Sequence, residues 1–145
     1  MKIADILHRK GGHLITVRPD DTIAMAAGVM TAKGIGALLV CELGGRFLGL
    51  LSERDVVQAI SRQRDNVATL RVDDVMTRDV VVCTPADSVK HMMAVITNRR
   101  ARHVPVLEDG KLVGIVSVGD VLKSRLDEAV EEANVLRDLS MATRG

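Results

Sequence analysis

Phe47 is the only aromatic residue in a chain of 145, which contains neither tryptophan nor tyrosine. Proteins that hold single-stranded nucleic acid stack its bases on aromatic rings, and that platform is missing. An excess of one charge is missing too: 20 Lys and Arg stand against 19 Asp and Glu, so no overall field draws the chain to nucleic acid or to an anionic membrane. Any anion site must be local. No apolar run approaches the roughly 20 residues of a membrane span, and the first ten residues carry charge where a secretory signal needs an apolar stretch. A cytoplasmic chain is expected, with neither membrane nor nucleic acid among its partners. Cys41 and Cys83 stand alone without CxxC spacing and read as buried, inert thiols. The histidines at 8, 13, 91 and 103 show no HExxH or Cys/His spacing, and no serine sits in a nucleophile-elbow pattern. Gly44-Gly45 joins strand to strand and is a hairpin turn, not a phosphate loop. Neither catalysis nor a metal site is expected.

What the chain does have is 47% apolar residues, enough to bury a core made of Val, Ile, Leu, Met and Ala. It also has an internal repeat at an offset of about 66 residues. Ile3-Ala4-Asp5-Ile6-Leu7 resembles Val72-Asp73-Asp74-Val75-Met76, and Pro19-Asp20-Asp21-Thr22-Ile23 resembles Pro85-Ala86-Asp87-Ser88-Val89. Gly45 to Ser52 resembles Gly110 to Ser117, each followed by an Asp three residues after the Ser.

Each copy shows the same succession of periodicities. Thr22 is a good N-cap, and Ile23, Ala26, Ala27 and Met30 share one helical face; Ser88, Val89, Met92, Met93 and Ile96 repeat the pattern. Two hairpins follow, Ala37 to Cys41 with Phe47 to Leu51, and Val104 to Leu107 with Leu112 to Val116, the second turning at Asp109-Gly110. A further helix has Val56, Val57 and Ile60 as apolar positions in one copy and Val121, Leu122 and Leu126 in the other. Leading strands are expected at Leu14 to Val17 and Val80 to Cys83, which completes a β-α-β-β-α unit. A unit of about 50 residues buries too little apolar area alone, so the two must pack together. The polar stretch Ser61 to Leu70, with Arg62, Arg64 and Asp65, reads as a solvated linker. Leu126, Ala129, Ala133, Leu136 and Leu139 extend the last helix with an apolar stripe that covers either the molecule's own flank or a second subunit.

The most informative motif is Gly49-Leu50-Leu51-Ser52-Glu53-Arg54-Asp55, restated as Gly114-Ile115-Val116-Ser117-Val118-Gly119-Asp120. Ser-x-x-Asp is close to a capping box. Two features point to a ligand instead. Both copies use Asp, which reaches less far than the Glu or Gln of most such boxes. Both also have Gly three residues before the Ser, where a missing side chain lets a ligand approach the strand. A helix N-terminus suits phosphate, and a carboxylate beside it can accept both hydroxyls of a ribose. A second constellation is Asn98-Arg99-Arg100-Ala101-Arg102-His103. Arg99 and Arg100 read as a solvated helix end, whereas alternation aims Arg102 or His103 at a sheet face, where either is costly unless it meets an anion such as phosphate.

The doubled Gly-h-h-Ser-x-x-Asp, with Arg102-His103-Val104-Pro105-Val106, resembles the CBS-domain family over nearly the whole chain. The resemblance implies a mixed α/β fold of two β-α-β-β-α repeats packed sheet to sheet with pseudo-twofold symmetry. The repeats would span 1–66, with the N-terminal segment, and 67–127, with 128–145 a helical extension. It also implies two clefts that hold adenosine nucleotides: AMP, ADP or ATP, with NAD and S-adenosylmethionine as further members of the class. One cleft would use Asp55 for the ribose and Ser52, Arg54, Arg102 and His103 near the phosphates, with Val81, Val82 and Thr84 along the base. The other would use Asp120 and Ser117, with Ile15, Thr16 and Val17 along the base. There Gly36 and Ala37 match Arg102 and His103, and Gly119 matches Arg54, so matched cations are lacking. A less charged ligand, a cation from Lys33 or a dimer partner, or an empty cleft remain open. The function implied is that of a non-catalytic sensor, forming a homodimer and signalling to a separate effector protein. The rival reading is an interaction module without ligand, its Asp residues capping helices only.

Overall fold

A computed structural model describes residues 1–11, 14–63 and 65–144, so His13 and Arg64 of the readings above lie outside the described residues. The helix signals act where the pattern places them. Thr22 Oγ1 accepts from the Met25 amide at 3.2 Å and opens α2, Ile23–Lys33, which buries Ile23, Ala26 and Met30. Ser88 Oγ accepts from the His91 amide at 3.0 Å and opens α5, Val89–Arg99, which buries Val89, Met92 and Ile96. The two helices stop differently. Gly34 takes the left-handed conformation after α2, and Arg100 takes it after α5, with φ 52 and ψ 36. Only the first is a residue that adopts this conformation freely.

Strand β1, Thr16–Val17, pairs parallel with β2, Ala37–Cys41, which pairs antiparallel with β3, Phe47–Ser52. The second half has β4, His103–Glu108, antiparallel to β5, Lys111–Ser117. Its expected leading strand does not form: Val80 to Cys83 contributes a single parallel bridge, Cys83 to Val106. The Cys83 amide donates to Pro105 O at 3.0 Å and the Leu107 amide to Cys83 O at 2.8 Å. The next rung would need an N–H from Pro105, which has none; the first half has Leu39 there, paired with Thr16. The sheets meet where the Phe47 amide donates to Gly110 O at 3.2 Å and the Leu112 amide to Gly45 O at 3.0 Å.

The leading segments are exchanged between the halves. Helix α1, Ile3–Lys10, puts Ile3 and Ile6 into the core of the second half with Val104, Val106, Val116 and Val121. The short helix α4, Val72–Val75, puts Val72 into the first core with Val17, Leu38, Val40 and Leu51. Backbone bonds mirror one another: Ile3 N to Asp87 O and Ala4 N to Pro85 O at 2.9 Å, against Val72 N to Asp21 O at 2.8 Å and Asp73 N to Pro19 O at 2.9 Å. Each half is therefore completed by residues that precede the other, which ties the two together.

The Ser61 to Leu70 stretch is less of a linker than its polarity implies. Helix α3, Glu53–Gln63, runs through its first residues, and Val67 opens a 3₁₀ turn and is buried in the first core. The last helix, α6, is Val118–Arg144. Val56 and Val121 pack inward, but Val57, Ile60, Leu122 and Leu126 are exposed, contrary to a helix face buried in its own half. Val130, Val135, Leu136 and Leu139 continue exposed apolar surface along α6. Among the described residues no helix is long and apolar enough to cross a membrane.

Candidate functional site

Both Ser-x-x-Asp motifs fall at the junction of a strand and a helix, β3 with α3 and β5 with α6. Both form complete capping boxes. The Ser52 amide donates to Asp55 Oδ2 at 2.9 Å and the Asp55 amide to Ser52 Oγ at 3.1 Å. The Ser117 amide donates to Asp120 Oδ2 at 2.9 Å and the Asp120 amide to Ser117 Oγ at 3.0 Å. The expectation that Asp, reaching less far than Glu or Gln, points away from a capping box is corrected: in both copies the Asp carboxylate closes the box. The Glu53 amide donates to Gly36 O at 2.9 Å and the Val118 amide to Arg102 O at 2.8 Å, so two first-turn amides of each helix are already engaged.

The glycines before the motif also serve an internal contact. A Cβ at Gly49 would lie 2.4 Å from Thr77 O, and one at Gly114 would lie 2.5 Å from Leu7 Cδ2. Thr77 pairs with Leu50 in both directions, its amide donating at 2.8 Å and its carbonyl accepting at 2.9 Å. The exchanged segments cover the positions that sequence reasoning left open for a ligand.

These segments give the two carboxylates different partners. Thr77 Oγ1 donates to Asp55 Oδ1 at 2.9 Å. Lys10 Nζ, at the end of α1, lies 2.8 Å from Asp120 Oδ2 and 3.5 Å from Ile115 O. Burial by itself would raise the Asp120 carboxyl; the hydrogen bonds from Lys10 and the Ser117 amide, with the neighbouring Ser117 hydroxyl and the Lys10 charge, outweigh it and hold the group below its ordinary value. Lys10 was missed because it precedes the first repeat's helix by a dozen residues and matches Asp79, an acid, in the other half. Its place at Asp120 follows from the exchange of segments, which no local pattern encodes.

Pairing sets Ala37 opposite Ser52 and His103 opposite Ser117, so the backbone places Gly36 and Ala37 beside one motif and Arg102 and His103 beside the other. Arg102 and His103 are exposed, correcting the expectation of a costly cation on a covered sheet face. Neither these two side chains nor that of Arg54 makes a hydrogen bond or ion pair among the described residues. Thr16 and Val82 occupy matching exposed positions, and the Thr84 amide donates to Asp87 Oδ2 at 2.7 Å. Val17 is in the first core at 4% exposure, so its side chain is not presented to a ligand; Ile15 and Val81 are partly buried against the cores. Thr16 instead lines a recess of about 220 Å³ with Arg18, Leu43 and Leu112. Cys41 and Cys83 are buried free thiols, and burial with the nearby Asp87 charge pushes Cys83 up to about 12, which keeps it unreactive. No group of three or more His, Cys, Asp or Glu converges among the described residues.

Two repeats with exchanged leading segments, the first β-α-β-β-α and the second α-β-β-α with a single bridge in place of its leading strand, each carry a Ser-Asp box where a strand passes into a helix and define a tandem-repeat module of mixed α/β class. The CBS-domain family model matches residues 3–62 and 72–127, and the chain belongs to that family. It is 33% identical over 138 residues to the CBS domain-containing protein CBSX3, mitochondrial, of Arabidopsis thaliana, covering 90% of this chain and 67% of that one. The crystal structure of the CBS-domain containing protein ATU1752 from Agrobacterium tumefaciens superposes with a TM-score of 0.75 at 42% identity, covering 86% of this chain and 99% of the other. The CBS domain pair of protein MJ0100, in complex with 5′-methylthioadenosine and S-adenosyl-L-methionine, superposes with a TM-score of 0.69 at 26% identity, covering 89% and 97%. Other relatives are longer: the chain spans 22% of an inosine-5′-monophosphate dehydrogenase of Methanocaldococcus jannaschii.

Proposed function

We propose that the chain is a non-catalytic sensor that binds adenosine nucleotides at Asp55 and Asp120 and signals by a change in the packing of its repeats or of a homodimer. The observation that carries the reading is the carboxylate bookkeeping at Asp55. Of its roughly four acceptor positions, Ser52 and Thr77 take one on each oxygen, leaving one on each for the two hydroxyls of a ribose. Arg54, exposed and without a protein partner among the described residues, is a cation for its phosphates, and Val82 and Thr84 are the bed for its base; Arg102 and His103, at the start of β4 beside the Asp120 motif, would reach those phosphates from the other repeat. The adenosine compounds on the MJ0100 domain pair support the ligand class. The exposed Val57, Ile60, Leu122 and Leu126 support a homodimer. The effector is a separate protein, and the signal requires that the ligand favour one packing arrangement over another.

Thermal melting with AMP, ADP, ATP, NAD and S-adenosylmethionine tests this. A ligand that binds the folded chain raises the midpoint by mass action, and Asp55→Asn removes most of the shift. No shift across the panel leaves the second reading, an interaction module without ligand. That reading is favoured by one observation: both Asp residues already have a full structural role as helix caps.

A further inference from the structure

The two carboxylates differ in where their free acceptor positions lie. Asp120 Oδ2 accepts from the Ser117 amide at 2.9 Å and from Lys10 Nζ at 2.8 Å, which fills its two lone pairs. Both open positions are then on Oδ1. A ribose diol that sets one hydroxyl on each oxygen fits Asp55 as it stands, but at Asp120 it needs the position Lys10 holds.

Lys10 is not a loose surface charge. It ends α1, whose Ile3 and Ile6 are in the core and whose Leu7 lies over Gly114 on the strand that leads to Ser117. The helix that carries Lys10 is therefore anchored, which keeps its side chain within reach of Asp120. Released from Oδ2, it is a cation at the edge of the cleft with one kind of partner that restores its interaction: an anion on the ligand. The first half has Asp79 at the matching position, and Thr77, a neutral donor, on Asp55.

We propose that Lys10 makes the Asp120 cleft selective for nucleoside phosphates, exchanging its bond to Asp120 for one to the phosphate while the carboxylate takes the diol. An uncharged nucleoside breaks the ion pair and replaces only half of it. This rests on the ribose-binding reading of Asp120 and adds Lys10 to the exposed Arg102 and His103, which the pairing of β4 with β5 sets beside the same motif.

The experiment titrates the Asp55→Asn chain, in which Asp120 is the remaining acidic acceptor, with AMP and with adenosine by calorimetry. Binding of AMP at least about tenfold tighter than adenosine is expected, the scale of one charge-assisted hydrogen bond. Adding Lys10→Met brings the two affinities within about threefold, by weakening AMP and strengthening adenosine, and Lys10→Arg restores the preference. A ratio unchanged by Lys10→Met overturns the proposal. So does an Asp55→Asn chain that binds neither compound while the parent binds AMP, an outcome that leaves the sensor reading standing on Asp55. A parent chain that binds neither defeats that reading itself. Circular dichroism of each variant confirms the fold; Lys10 is exposed, so its replacement leaves the core intact.

Discussion

The Thr77 hydroxyl donates to Asp55 Oδ1 at 2.9 Å, so the carboxylate that opens α3 is held by the segment leading into the second half. One hydrogen bond thus links a helix cap, a candidate ribose acceptor and the junction between repeats. Thr77→Val removes the donor and keeps the shape. It should lower stability by about 1 kcal/mol, the usual net value of such a bond, read as a fall in the urea midpoint at unchanged slope. An unshifted midpoint would show that the bond contributes nothing.

Gly49→Ala and Gly114→Ala place the same methyl at matching positions and should differ in cost. At Gly49 the new atom meets the carbonyl of Thr77, a residue fixed by two backbone bonds to Leu50; at Gly114 it meets the far end of the Leu7 side chain, which can turn. We expect about 2–3 kcal/mol at Gly49 and clearly less at Gly114, measured by chemical denaturation. Equal costs would mean that the Thr77 segment gives way as easily as a leucine rotamer.

Arg100 closes α5 in the left-handed region that Gly34 occupies after α2. Arg100→Gly should therefore stabilise the protein by about 0.5–1 kcal/mol, against the usual destabilising effect of a glycine substitution. A lowered melting temperature would indicate that the Arg100 side chain contributes more than its backbone costs.

The Lys10–Asp120 pair predicts a pH dependence. The Asp120 carboxyl is held below its ordinary value, so its contribution is fully present above the unfolded carboxyl pKa of about 3.9 and is lost as pH falls through the lower folded value. Lys10→Met weakens that hold. The parent should exceed the variant by at most about 1 kcal/mol near pH 7, because both side chains are partly exposed, and the gap should close below about pH 4 and in 1 M salt. A gap that persists in acid would assign the effect of Lys10 to packing.

The sequence by itself determined the repeat, the helices capped by Thr22 and Ser88, both hairpins and the two Ser-Asp motifs. Each is written in residues within a turn or two of one another, where spacing and capping chemistry act directly. It could not determine which segment covers which strand. Ile3 to Leu7 and Val72 to Met76 read as equivalent leaders of their own repeats, yet each packs in the core of the other half. Either arrangement buries the same apolar side chains, so pattern alone does not choose between them. That choice brings Thr77 to Asp55 and Lys10 to Asp120, makes Gly49 and Gly114 packing glycines, and gives two motifs alike in sequence carboxylates with different free acceptor positions. Even the missing second leading strand turned on tertiary pairing: the Val80 to Cys83 pattern is sound, but its partner strand has Pro105 where an N–H was needed.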